Sequence, residues 1–148
     1  KAKYGFLVAQ PIATLDAALG STSSKDVFVI GAGPMADAAL ADESLAAHGF
    51  KAIAVFEPDP ALVGASVGRD GARALPLSKL PALSRRMGVR IAILAVGGAW
   101  AQAAADGLKD SGIEAVLDLS PAHPQFPAGV RSVRADFGAA IAALAAGL

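Results

Sequence analysis

Five apolar runs punctuate this chain: VFVIG (27–31), AIAVFE (52–57), IAILAV (91–96), AVLDLS (115–120) and VRSVR (130–134), the clearest of them unbroken rather than alternating. A strand with one wet face alternates apolar with polar residues. An unbroken apolar strand is covered on both faces, the condition of a parallel sheet between helices. The stretches between the runs carry helical patterns with readable ends. Pro34 suits a first helical turn and Gly49 a C-terminal cap, enclosing one helix whose last turn holds His48. Ser78 is expected to cap a helix ending at Gly88, and a further helix runs from Ala99 to Ser111 and stops at Gly112. A short helix near 12–19, stopped by Gly20, and the polar turn STSSKD (21–26) precede the first strand. Strand, helix and strand repeated with short connections imply right-handed crossovers and a doubly wound parallel sheet of the α/β class. A β/α barrel needs far more than these 148 residues.

Composition narrows the roles. Thirteen basic residues balance thirteen acidic ones, and the only basic run is the pair Arg85-Arg86, so no footprint for nucleic acid is present and direct DNA binding by this chain is not expected. A hydrophobic content of 54% with no net charge favours self-association, and a homodimer is expected. The absence of cysteine removes disulfides and thiolate metal sites. No signal-peptide pattern opens the chain, and the most apolar stretch, FGAAIAALAAGL (137–148), is too short to span a bilayer, so the chain reads as cytoplasmic.

VFVIGAGPMADAAL (27–40) sets Gly31 and Gly33 directly after the first strand and Ala36 within the helix that follows. Gly31 allows the tight turn, Gly33 lets a pyrophosphate approach the backbone, and Ala36 lets the helix pack closely on the sheet. A phosphate cradled by Gly31, Ala32, Gly33, Pro34, Met35 and Ala36 meets free backbone N–H groups and the positive end of the helix dipole. Glu57 ends the second strand about 20 residues past this loop, where a carboxylate accepts hydrogen bonds from both ribose hydroxyls of an adenosine. Its charge repels a 2′-phosphate, so NAD is expected over NADP. The bland alternative is a tight turn without a ligand and a solvated strand end. AVGGAW (95–100) supplies a second glycine turn at the ligand-binding edge of such a sheet; Gly97 and Gly98 either pass close to a dinucleotide or make a plain strand-to-helix turn.

Four longer stretches stand in the order and spacing of one known family: GFKAIAVFEPDPALVG (49–64), GVRIAILAV (88–96), AQAAADGLKDSGIEAVLDLSP (101–121) and VRSVRADFGAAIAAL (130–144). From Tyr4 onward the chain resembles the dinucleotide-binding domain of Rex, the NADH-sensing bacterial transcriptional repressors. The resemblance implies a Rossmann-like, NAD(H)-binding domain over residues 26–148, preceded by an N-terminal helix and linker over 1–25. It implies that Gly31, Gly33 and Ala36 hold the pyrophosphate and that Glu57 and Asp59 meet the adenosine ribose. Val96, Gly97 and Gly98 would border the cofactor, Ser120 and Pro121 would lie near the nicotinamide, and Phe137 would reach the partner subunit's nicotinamide pocket. Asp136 resembles the acidic residue heading the family's C-terminal helix, which is swapped between subunits and takes part in redox-sensitive contacts. The sequence departs from the family at Glu57, usually Asp, at Gly97, usually Pro, and at DLSP in place of NFAP. Only 26 residues precede the first strand, so the family's winged-helix DNA-binding domain is expected to be absent from this chain.

Along FGAAIAALAAGL, Phe137, Ile141, Leu144 and Leu148 share one helical face and every remaining position is Ala or Gly. A helix apolar all round must be covered, either by a second subunit or by its own sheet. No Ser/His/Asp grouping, HExxH or carboxylate cluster is present, so neither catalytic nor metal-binding residues are expected. His123, in the loop PAHPQFP, is the one histidine on the ligand edge, either a proton-transfer group or simply solvated. Three roles follow: an NAD(H)-sensing module of a transcriptional regulator, not an enzyme; a small protein binding coenzyme A or another adenine nucleotide; or the nucleotide-binding fragment of a larger enzyme.

Overall fold

The apolar runs become the strands of one parallel sheet. The computed structural model describes residues 25–148; the helix expected near 12–19 and most of the 21–26 turn lie outside them. In chain order the elements are β1 (Asp26–Ile30), α1 (Pro34–Ala41), α2 (Glu43–Ala47), β2 (Lys51–Glu57), the short strands β3 (Ser66–Val67), β4 (Ala72–Arg73) and β5 (Leu75–Pro76), α3 (Leu80–Met87), β6 (Ile91–Leu94), α4 (Gly98–Asp106), β7 (Ala115–Asp118), β8 (Arg131–Arg134) and α5 (Phe137–Ala146). The main sheet has six strands in the order β5-β2-β1-β6-β7-β8, every pairing parallel. The chain grows outward from β1 through β2 to β5, then returns to β6 and grows the other way. This is the doubly wound, Rossmann-like arrangement expected from the sequence, and its crevice opens between the ends of β1 and β6.

Burial on both faces explains the unbroken runs. Phe28 and Ile30 of β1 join Phe56, Ala92 and Leu94 in a core closed by Leu80 of α3 and by Ala101 and Ala104 of α4. Val27 and Val29 point the opposite way, meeting Val55, Ile91 and Ile93 beneath Ala36 and Ala39 of α1. Phe28 and Phe56 are fully buried, with ring centroids 4.8 Å apart at 60°, an edge-on pairing. Each such side chain contributes about 1.5–3 kcal/mol through burial.

Three expected helices differ in detail. The single helix from Pro34 to Gly49 breaks at Asp42, which is extended and accepts a 2.7 Å hydrogen bond from the Ser44 N–H, starting α2 as its N-cap. Aspartate binds local backbone N–H groups better than it fits a helix interior. Gly49 closes the unit at φ 83°. Ser78 does not cap α3: it sits in a 3₁₀ turn (Leu77–Lys79), and the helix proper begins at Leu80 and ends, as expected, at Gly88 with φ 70°. The helix expected over 99–111 stops at Asp106, where tighter turns take over: the Leu108 N–H donates to the Ala105 carbonyl and the Lys109 N–H to the Asp106 carbonyl, each at 3.1 Å, and Asp110 then turns left-handed at φ 60°. The short strand β5, which extends the main sheet beside β2, and the β3–β4 hairpin carry no apolar run of their own and were not anticipated.

Candidate functional site

The end of β1 is locked to both neighbours. The Gly31 N–H donates to the Phe56 carbonyl at 2.7 Å, and the Ala95 N–H donates to the Ile30 carbonyl at 2.7 Å. A Cβ at Gly31 would stand 2.2 Å from the Ala95 carbonyl oxygen, and the residue has φ 128°, so glycine is required for backbone to pass backbone here. Gly33 is different: nothing lies within 4 Å of a Cβ built there. It occupies the N-cap of α1 without a side-chain cap, and Pro34 follows in the first turn. No side chain caps the start of α1, and the space beside Gly33 is open, a setting that suits an anion.

Glu57 closes the other side. It is 4% exposed, and both carboxylate oxygens hold backbone: Oε1 accepts from the Ala32 N–H at 2.9 Å and Oε2 from the Asp59 N–H at 2.7 Å. A carboxylate at the end of β2 thus fixes the glycine loop after β1, while each oxygen keeps lone-pair capacity for a further donor. Asp59 caps the 3₁₀ turn Pro60–Leu62 by accepting from the Ala61 N–H at 2.9 Å.

Between these groups lies a cavity of about 360 Å³ lined by Ala32, Gly33, Pro34, Met35, Glu57, Leu62, Ala95, Val96, Gly97, Trp100, Leu119 and Pro121. It brings together residues from the first glycine loop, the end of β2, the second glycine turn and the segment after β7. Leu62, Ala95, Trp100 and Leu119 were not anticipated; the available signal was their position beside strand ends and in the first turn of α4. Several proposed site residues lie elsewhere. Gly31 is not in the lining and sits against the backbone of Ala95, just past β6, and Ala36 is buried in the contact of α1 with the sheet. Gly98 opens α4, its Cβ position 3.7 Å from Pro121 Cγ.

Ser120 is 3% exposed, with its hydroxyl 2.6 Å from Asp118 Oδ1, which also accepts the Ser120 N–H at 2.9 Å. Arg134 donates to Asp118 Oδ2 at 3.1 Å and to the Ala122 carbonyl. The segment Asp118–Ala122 is thereby folded into a fixed turn, with Leu119 and Pro121 facing the cavity. Beyond it, Asp136 caps α5 by accepting from the Ala139 N–H at 3.2 Å. That bond, reinforced by Arg134, holds the Asp136 carboxyl below its ordinary value. Phe137 is 88% exposed, and Ile141, Leu144 and Leu148 are exposed as well, so this helix is not folded back over its own sheet. His123 is exposed in its loop, and the His48 ring lies 2.9 Å from the Ser44 carbonyl at the end of α2. No helix among the described residues is long and apolar enough to cross a membrane.

A parallel sheet that reverses its strand order at a crevice, with an uncapped helix N-terminus on one side and a buried carboxylate on the other, defines a Rossmann-like domain of the nucleotide-binding type. Residues 22–122 match the family described as "CoA binding domain", and the chain belongs to that family. Curated relatives that it matches include redox-sensing transcriptional repressors named Rex. The protein from Roseiflexus sp. (strain RS-1) is 28% identical over 130 residues, covering 88% of this chain and 58% of the relative. Rex 2 of Thermotoga maritima is 32% identical over 136 residues, covering 92% of this chain and 65% of the relative. The chain therefore spans about three fifths of the length of these relatives. Among solved structures, RSP, a Rex-family repressor, superposes with a TM-score of 0.70 at 24% identity, covering 93% of this chain and 65% of that one. RSP in complex with beta-NADH gives the same TM-score of 0.70, a likeness of fold.

Proposed function

We propose that this chain is the NAD(H)-binding, redox-sensing module of a Rex-like transcriptional regulator. The observation that carries the reading is the meeting of Glu57 with the Gly31–Ala36 loop across one cavity. The uncapped amides of α1 receive the pyrophosphate at Gly33, and Glu57, already seated between loop and strand, receives the adenosine ribose hydroxyls with Asp59 beside it. Val96, Gly97 and Gly98 border the middle of the dinucleotide, and Pro121, set by the Ser120 turn, borders the nicotinamide. Support comes from relatives named redox-sensing repressors and from RSP, whose structures include complexes with beta-NADH and with beta-NAD+ and operator DNA.

Within this reading α5 joins two copies into a homodimer and carries Phe137 to the partner's nicotinamide pocket. The module senses rather than catalyses and works in the cytoplasm. Contact with operator DNA is assigned to none of residues 26–148. The family description names one alternative ligand, coenzyme A, for which the same loop serves. Titration calorimetry with NADH, NAD, NADPH and coenzyme A decides. NADH and NAD are expected to bind and NADPH to bind more weakly; preference for coenzyme A would support the alternative, and indifference to all four would remove both.

A further inference from the structure

Arg134 stands between the turn after β7 and the start of α5, two segments whose backbones meet where β7 pairs with β8 and the Ala135 N–H donates to the Asp118 carbonyl at 3.0 Å, and it is the side chain that reaches into both. On one side its Nη1 reaches Asp118 Oδ2 at 3.1 Å and the Ala122 carbonyl, the two ends of the turn that sets Leu119 and Pro121 against the cavity. On the other side its Nε lies 3.6 Å from Asp136 Oδ2, the carboxylate that caps α5. That Nε is buried and has no hydrogen-bond partner among the described residues. The separation is just longer than a hydrogen bond. A small shift of the α5 start towards β8 would turn the contact into a bond and satisfy the buried donor, whereas a shift away would leave the donor unmet and lose the ion pair as well. Buried unmet donors are disfavoured, so the two arrangements differ in energy and the contact can register displacement of either side.

We propose that Arg134 is a positioning residue that makes the turn walling the cavity and the first turn of α5 move as one body, so that filling the cavity is felt at the helix through which two copies associate. The link to ligand and dimer rests on the functional reading above; the mechanical tie rests on the geometry alone. A single guanidinium suits this task because its planar, multi-donor fork faces both carboxylates at once. Lysine, a point charge on a flexible stem, stays with Asp118 and does not serve both.

The tie is tested by perturbing one end and reading the other, in the full chain. Asp136→Ala removes the α5 cap at an exposed position. Amide hydrogen exchange is then followed at Ser120, whose N–H is held by Asp118. Exchange at Ser120 should rise about tenfold in Asp136→Ala, and should rise no further when the same change is made on an Arg134→Lys background, the non-additivity expected of a shared partner. Equal effects on both backgrounds, or no effect at Ser120, would overturn the tie.

For the link to ligand, the dimer dissociation constant is measured by sedimentation with and without NADH. It should change at least about fivefold in the unaltered chain and not at all in Arg134→Lys, with NADH binding itself followed through the emission of Trp100, the chain's one tryptophan. Retained linkage in Arg134→Lys would refute the transmission. If the unaltered chain does not bind NADH, the functional reading fails instead, and the proposal stands or falls on the exchange pattern.

Discussion

Replacing the two loop glycines separately divides fold from ligand. In Gly31→Ala the new methyl meets the Ala95 carbonyl oxygen at 2.2 Å and its carbon at 2.7 Å, both backbone atoms of the segment paired with β1, at a residue with φ 128°. A side chain in that conformation costs about 1–3 kcal/mol. Forcing packed backbone apart costs about 1–3 kcal/mol more. A loss of about 4 kcal/mol lowers the Tm by roughly 8–16 °C in a chain of this size. In Gly33→Val the added atoms enter open space at φ −107°, so the Tm should stay within a few degrees. Its branched side chain fills the space over the first turn of α1, and NADH affinity should fall at least about a hundredfold, equivalent to roughly 2.7 kcal/mol. Thermal unfolding and calorimetry on both variants read the two effects. A Gly31→Ala protein with unaltered Tm, or a Gly33→Val protein that binds NADH normally, would refute the division.

Glu57→Ala should cost about 2–3 kcal/mol in urea unfolding by orphaning the Ala32 and Asp59 amides, and should narrow any preference of calorimetric affinity for NADH over NADPH; loss of both cofactors in equal proportion would count against the ribose role. Deleting residues 137–148 should yield a monomer or an aggregate with weakened NADH affinity by sedimentation and titration, and a soluble, still-dimeric product would refute the role of α5. Arg90, 2.8 Å from Glu114, holds that carboxyl below its ordinary 4.5. Because the folded value is the lower one, the pair's contribution is complete above pH 4.5 and is lost as pH falls through the depressed value; in Arg90→Ala a carboxyl-detected NMR titration should find Glu114 moved upward.

The parts of the fold written plainly in the sequence are those buried on both faces. β1 and β6 show as apolar runs because Phe28 and Ile30 need one core while Val27 and Val29 need the other. β5, two residues including Pro76, borrows its strand character from pairing with Phe56 and Glu57, and nothing local announces it. Asp42 was hidden by its Ala-rich neighbours, although aspartate is a favoured N-cap residue. In the site, the loop and Glu57 were legible because their chemistry depends on residue type and spacing. Trp100 and Leu119 were not, because they line the cavity only through where α4 and the turn after β7 happen to lead them. The pairing of the buried Ser120 hydroxyl with Asp118 is visible only once the chain has folded.

The anchoring of the glycine loop by Glu57 bears on any attempt to retune this domain. In a site whose discriminating carboxylate stands free, exchanging it for a small or basic residue is a local edit that admits a phosphorylated ribose. Here the carboxylate anchors Ala32 on one side and Asp59 on the other, so under the ribose-binding role proposed above an exchange made to alter cofactor preference would also release the loop. Drift at this position meets a stability barrier before it meets a functional one. A changed preference would first require a second acceptor for the Ala32 amide, and a variant library built around position 57 alone should return poorly folded proteins more often than converted ones.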